Sequence, residues 1–164
     1  LDHLIDVVDG SFEELPFPEN SFDVVWSQDA ILHSGDREQV LKEVSRVLKP
    51  EGRFVFTDPM RSDNCPRGVL QPILNRIHLS DLGSPGFYRE TIENLGLSMI
   101  VDEDHSEQIA NHYGRVLRET KACEEDLSKE VSEEYIANMK KGLRHWVEGG
   151  ENGYLAWHIF VAKK

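Results

Sequence analysis

Residues Phe22–His33 read FDVVWSQDAILH. Phe22, Val24, Val25 and Trp26 form a short run rich in β-formers. Ser27, Gln28 and Asp29 then arrive together, where a strand entering more core would stay apolar. In open α/β sheets, ligands sit at the carboxyl ends of strands. The stretch is therefore predicted to be a buried strand that hands Gln28, Asp29 and His33 to a site.

The flanking sequence supplies the partners such a strand needs. Downstream, Ser34-Gly35 breaks the pattern and Asp36 is placed to cap a helix, with Gln39 at the capping-box position. Val40, Leu41, Val44, Val47 and Leu48 make one apolar face. Lys49-Pro50-Glu51-Gly52 reads as a tight turn with proline at its second place. Arg53–Thr57 is the next strand, and it runs into Asp58-Pro59-Met60. Strand, helix, turn and strand in this order is a βαβ unit, which argues for a parallel sheet covered by helices. Upstream, Leu4–Val8 is predicted to be a first short strand that ends at Asp9-Gly10-Ser11.

Further along, helices are predicted over Val69–Ile77 and from Ser84-Pro85 to Leu95, the second ending at Gly96. Leu97–Val101 is a strand. Two long helices follow, at about Ser106–Leu127 and Ser132–Val147, with Gly149-Gly150 closing the second. Tyr154–Ala162 is a final strand. The chain shows no internal repeat and no linker. The Glu-rich patch at 124–134 reads as a solvated helix face.

Composition narrows the function. A chain of 164 residues is long enough for one domain with a proper core. The net charge of −12 argues against nucleic acid as a partner. No run approaches transmembrane length, so no membrane is expected. Cys65 and Cys123 have no metal-ligand spacing and imply no disulfide framework. A reduced, cytoplasmic setting is the simplest expectation. The seven histidines include no HExxH, so no metal is expected. There is no nucleophile elbow and no P-loop. The chain opens on Leu1, not Met, and close to a strand, so it reads as a piece of something longer.

Three strand ends carry polar groups: Asp9/Ser11, Gln28/Asp29 and Asp58. Each alone also reads as a cap or turn. Together, on one edge of a parallel sheet, they suggest a site. Asp29 and His33 are four apart and share a face if the loop turns helical. A carboxylate beside an imidazole orients it and raises its pKa, which suits proton transfer. Tyr113, Tyr135, Arg144 and Trp146 lie on the late helices. Aromatics at that spacing read first as core, and otherwise as a lid that holds an alkylated amine by cation–π attraction.

These residues resemble a known family. LPF, FDVVWSQDAILH, EVSRVLKPEGRFVFTDPM and QPILNRI together are similar to class I S-adenosylmethionine-dependent methyltransferases. Within these, SQDAILH, DPM, QPIL and NMKKGLRHWVEGG are most similar to sarcosine/dimethylglycine N-methyltransferases, which make glycine betaine. The resemblance implies an α/β fold, a partial Rossmann-like sheet holding strands 3 to 7 of a family sheet ordered 3-2-1-4-5-7-6. It also implies a helical insertion or lid at 106–150 before the last strand. Residues 1–164 are then the C-terminal part of one methyltransferase domain. The implied cofactor is S-adenosyl-L-methionine and the implied partner a small-molecule amine. Gly10, Ser11 and Phe12 resemble the adenine-contacting segment, with Ser11 standing where many relatives carry an aspartate. Gln28 and Asp29 resemble the residues after the strand that flank the methionine part of the cofactor and the transferring methyl. Asp29 and His33 are the expected catalytic pair, and Tyr113, Arg144 and Trp146 the expected substrate-binding set. Arg76 and Arg115 join Arg144 as candidates for the substrate carboxylate. The family's glycine-rich turn and its ribose-binding acidic residue are not in this sequence, so strands 1 and 2 are missing. Leu4–Val8, resembling strand 3, is then expected to be isolated from its sheet and to pair differently, fray or meet a partner chain. The alternatives are another amine or phosphobase methyltransferase, or a catalytically inert fragment.

Overall fold

The computed structural model describes residues 2–164, with side chains from residue 3 onward. The βαβ unit forms as the sequence predicts. Strand β1 (Phe22–Gln28) is followed by a 3₁₀ turn at Ile31–His33, helix α1 (Arg37–Val47) and strand β2 (Leu48–Arg61). β1 and β2 pair in parallel. Asp36 caps α1, its Oδ1 accepting from the Gln39 amide at 3.0 Å. The KPEG turn bulges the pairing, so that register passes from Phe22↔Leu48 to Val24↔Arg53. Glu51 takes the positive φ (68°) that a proline at the second turn position sets up. Gly52 is required there, because a Cβ would stand 2.8 Å from the Lys49 carbonyl oxygen.

Helices α2 (Gln71–Ile77) and α3 (Pro85–Asn94) come next, then strand β3 (Ser98–Asp104). Helix α4 (Glu107–Ala122) is separated by Cys123 from the single turn α5 (Glu124–Leu127). Helix α6 (Glu133–Glu151) runs through the Gly149-Gly150 pair that was expected to end it, and the chain turns at Gly153 (φ 68°) instead. Strand β4 (Leu155–Lys163) completes a sheet ordered β1-β2-β4-β3, with β4 antiparallel to both neighbours. This is the 4-5-7-6 half of the expected family order.

Helix starts carry little tertiary information, so their worth can be stated. Ser132 Oγ accepts from the Tyr135 amide at 3.2 Å at the start of α6. Ser132→Ala is expected to lower stability by about 1 kcal/mol, read as a shifted denaturant midpoint.

One sheet face is fully covered. Phe54, Phe56, Asp58 and Met60 of β2 lie beside His158, Phe160 and Ala162 of β4, under Val40, Leu41 and Val44 of α1 and Tyr88 and Ile92 of α3. Phe56 stacks on Phe160 at 4.8 Å and meets Tyr88 edge-on at 5.2 Å. The other face is partly bare. β1 is an edge strand and not the buried one expected, with Val24 54% and Trp26 68% exposed.

Leu4–Val8 is not a strand. Only a 3₁₀ turn at Asp2–Leu4 forms, and Ile5, Val7 and Val8 are exposed. A strand needs a neighbour to take its backbone hydrogen bonds, and among the described residues no strand lies on that side of β1. Residues 13–17 are held differently, docked on α1. Glu13 Oε1 accepts from Ser34 Oγ and from the Gly35 and Asp36 amides, and Glu43 Oε2 accepts from the Leu15 amide at 2.8 Å.

Candidate active site

The site is built around Asp29, at the end of β1. Its φ of 50° turns the chain sharply out of the strand. Its amide donates to the Thr57 carbonyl at 2.9 Å. Its Oδ1 accepts from Thr57 Oγ1 and from the Trp157 indole Nε1, both at 2.8 Å. Thr57 and Trp157 lie on β2 and β4, on the sheet face opposite the one that α1 and α3 cover. The carboxylate is thus fixed across three strands, and no donor is recorded on its Oδ2 among the described residues.

Two adjoining cavities share Asp29, Pro59 and Tyr113. The larger, about 560 Å³, adds Gln28 and Trp157 and the α4 residues Gln108, His112 and Arg115. The smaller, about 320 Å³, adds His33, Arg76 and Trp146, with Leu32 and Leu143. Tyr113 and Trp146 stack at 4.6 Å between ring centroids, nearly parallel at 21°. Burial, and then the Asp29 charge, push the Tyr113 hydroxyl pKa up, which keeps it neutral.

The expected residues therefore divide. Asp29, His33, Tyr113 and Trp146 meet at the smaller cavity, and Gln28 lines the larger. Asp29 and His33 line one cavity, but the bonds of Asp29 go to Thr57 and Trp157 and not to the imidazole. Arg144 is exposed and lines neither cavity, while Arg76 and Arg115 each line one. Arg144 sits one residue past buried Leu143 on α6, on a part of the helix turned to solvent. Gly10, Ser11 and Phe12 form an exposed loop that lines neither cavity. The neighbouring Glu13 tethers that loop to the Ser34–Asp36 turn.

The three polar strand ends do not converge. Asp9 and Ser11 are not on a strand. Asp58 is on the covered face, completely buried. Its Oδ1 accepts from the Leu32 amide at 2.9 Å, and its Oδ2 is 2.7 Å from the Tyr88 hydroxyl. Asp58 thereby holds the 3₁₀ turn that joins Asp29 to His33. Burial pushes its pKa up to about 7, against the opposing pull of the Tyr88 and Leu32 hydrogen bonds and the Arg37 charge. One residue of phase separates Thr57, which meets Asp29, from Asp58, which faces away.

Thr57, Pro59 and Trp157 were not anticipated in the site. Period-two alternation in β4, with Trp157 out of phase with buried Ala156 and His158, was the only signal for the last of these.

Comparison with known proteins finds methyltransferases. Residues 1–56 match the family model described as a methyltransferase domain. Over 164 residues the chain is 57% identical to a sarcosine/dimethylglycine N-methyltransferase of Halorhodospira halochloris, covering 100% of this chain and 59% of that protein. The chain is similar over its whole length to part of this methyltransferase. It is also 49% identical over its whole length to a dimethylglycine N-methyltransferase of Parasynechococcus marenigrum, of which it covers 59%. A crystal structure assigned to a sarcosine dimethylglycine methyltransferase from Galdieria sulphuraria superposes with a TM-score of 0.88 at 43% identity, over 94% of this chain and 57% of that one. The chain thus spans less than two thirds of the length of the relatives it matches. Among the described residues, no helix is long and apolar enough to cross a membrane, and no cluster could hold a metal ion.

Proposed function

We propose that this chain is the substrate-facing, C-terminal part of an S-adenosyl-L-methionine-dependent N-methyltransferase that acts on sarcosine and/or dimethylglycine to make glycine betaine. The observation that carries this reading is the smaller cavity. It brings a carboxylate, a stacked aromatic pair, an imidazole and a guanidinium to one place. Those groups match an amino acid whose amine bears methyl groups and whose other end is an anion. The names of the relatives at 49% and 57% identity support the same substrates.

The cofactor fits one wall of the site. Gln28 and Asp29 at the end of β1 line the larger cavity, where the methionine part of the cofactor would lie. The glycine-rich turn that would hold its other side is absent from the sequence. When bound, the cofactor supplies a methyl group on a sulfonium for direct displacement by the amine.

The chain's own residues have three tasks. They must orient the amine, exclude water and remove a proton. An aliphatic ammonium with a pKa of about 10 is mostly protonated at neutral pH and has no lone pair to offer. The Asp29 carboxylate attracts that ammonium, and His33, exposed at the same cavity, takes the proton onward to solvent. The aromatic faces of Tyr113 and Trp146 favour a methylated cation. Helices α4–α6, over 106–150, close the site as a lid. A trimethylated product has no proton left to lose, so transfer stops there. The acidic composition suits a cytoplasmic, osmoprotective role.

Methyl transfer by the full-length protein to glycine, sarcosine, dimethylglycine and phosphoethanolamine tests this reading. Transfer to sarcosine or dimethylglycine is expected, and transfer to neither would overturn it. Calorimetry of the 164-residue chain with S-adenosylhomocysteine asks a separate question. Weak or undetectable heat is expected from a chain that carries a single wall of the cofactor site, with full binding restored in the longer protein.

A further inference from the structure

We propose that Arg76 receives the substrate's carboxylate, and that Gly142 is kept free of a side chain so that Arg76 can lie across α6 into the cavity. This rests on the N-methyltransferase reading and names the group that would make it selective for amino acids.

The positions are specific. Arg76 lies in the last turn of α2, which Leu70 and Ile73 anchor in an apolar cluster with Trp146. Its Nη1 donates to the Asn138 carbonyl on α6 at 3.1 Å. One turn further along α6, Gly142 is buried. A Cβ built there would stand 2.3 Å from Arg76 Nε, 2.4 Å from Cδ and 2.9 Å from Cζ. No real contact is that short, so any side chain at 142 would displace the guanidinium. A glycine inside a 19-residue helix costs about 1 kcal/mol relative to alanine. Its φ is not in the left-handed region, so backbone conformation does not require it. Room for Arg76 does.

Arg76 is not consumed by an ion pair. Among the described residues, the Asn138 carbonyl is its only recorded acceptor, and no carboxylate lies within salt-bridge distance. The remaining N–H donors are left for a planar anion, the geometry a carboxylate meets best. The same cavity holds Asp29, Tyr113 and Trp146, the groups that suit the amine end. Arg115 lines the larger cavity with Gln28, on the side assigned above to the cofactor.

The test compares dimethylglycine with N,N-dimethylethanolamine, which keeps the amine and lacks the carboxylate. In the full-length protein, Arg76→Gln is expected to raise the KM for dimethylglycine about ten- to hundredfold, the worth of a charge-assisted hydrogen bond. The kcat should change little, and S-adenosylmethionine affinity should be unaltered. Weak turnover of N,N-dimethylethanolamine should not change, so the preference for the carboxylate disappears. Arg76→Lys should recover part of the loss. Gly142→Ala should reproduce the KM increase with a melting temperature no lower than that of the wild type. If it does not fold, the Arg76 variants decide the matter alone. An unchanged KM in Arg76→Gln, or an equal rise for both amines, overturns the assignment.

Direct calorimetry separates this from the broader reading. If the wild type binds dimethylglycine in an Arg76-dependent way but transfers no methyl to it, the enzymatic reading fails and the Arg76 assignment stands. If dimethylglycine binds no better than N,N-dimethylethanolamine, the Arg76 assignment fails whatever the activity.

Discussion

Asp29→Asn in the full-length protein is expected to lower kcat for dimethylglycine by about 10²- to 10⁴-fold, the usual contribution of a positioned proton acceptor. The substitution isolates charge from shape. Among residues other than glycine, asparagine is one of those that best tolerate the left-handed backbone at φ 50°. Its side-chain oxygen can still accept from Thr57 Oγ1 and Trp157 Nε1, both donors. The fold and the cavity walls are therefore retained, and a melting curve should confirm this. What is lost is the negative charge that, in the proposed mechanism, draws the ammonium in and accepts its proton. Without it, deprotonation falls to the solvent. The residual rate of the variant should then climb with pH towards the pKa of the amine, while the wild-type profile flattens earlier. A variant within threefold of wild type at neutral pH, or one whose rate deficit does not shrink at alkaline pH, would remove Asp29 from the catalytic role (about 1.4 kcal/mol separates each tenfold step).

The second large effect concerns stability. Asp58 is buried and has its pKa raised from 3.8 to about 7. The folded protein therefore keeps a proton on this carboxyl where the unfolded chain has already lost it. Between pH 4 and 7 the native state binds more protons than the unfolded state, so this group's contribution to stability falls as pH rises. It is fully present below the unfolded pKa and lost above the folded one. The swing is on the order of 4 kcal/mol. Asp58→Asn removes the titration. Its oxygen can accept from the Leu32 amide, and its amide can donate to the Tyr88 hydroxyl. The stability of the variant relative to wild type should therefore rise by several kcal/mol from pH 4 to pH 7 and level off above. Urea unfolding across that range measures it. A difference between the two proteins that is constant with pH would show that Asp58 titrates normally.

Both residues looked alike in the sequence, as acidic groups at strand ends. The alternation that makes Phe54 and Phe56 core residues also carries Asp58 to the covered face. Its role could have been read from that phase. Asp29 escapes the alternation because its positive φ breaks the strand, and a local pattern does not register that. The site's other walls come from far along the chain. Trp157 reaches Asp29 across 128 positions, and Asn138 meets Arg76 across 62. No periodicity links residues at such separations. Arg144 was drawn into the expected site by its neighbours on α6, yet it points to solvent while Gly142, two positions earlier, sets the wall.

What the sequence determined by itself is what local forces decide. Asp36, Ser84 and Ser132 start their helices because their side chains satisfy amides within three residues. The apolar stripe of α1 and the alternation of β2 assign buried and exposed faces without any knowledge of the partner. The motifs around SQDAILH and LKPEG carry the resemblance to the methyltransferases. Tertiary structure decided the rest. Leu4–Val8 has strand composition, but among the described residues no strand lies beside it, so its backbone pairs with nothing in the sheet. Phe22–Gln28 has core composition but lies at the sheet edge, where half its side chains meet solvent. A strand is made by its neighbours as much as by its residues, and a binding site by groups that approach only when the chain has closed on itself.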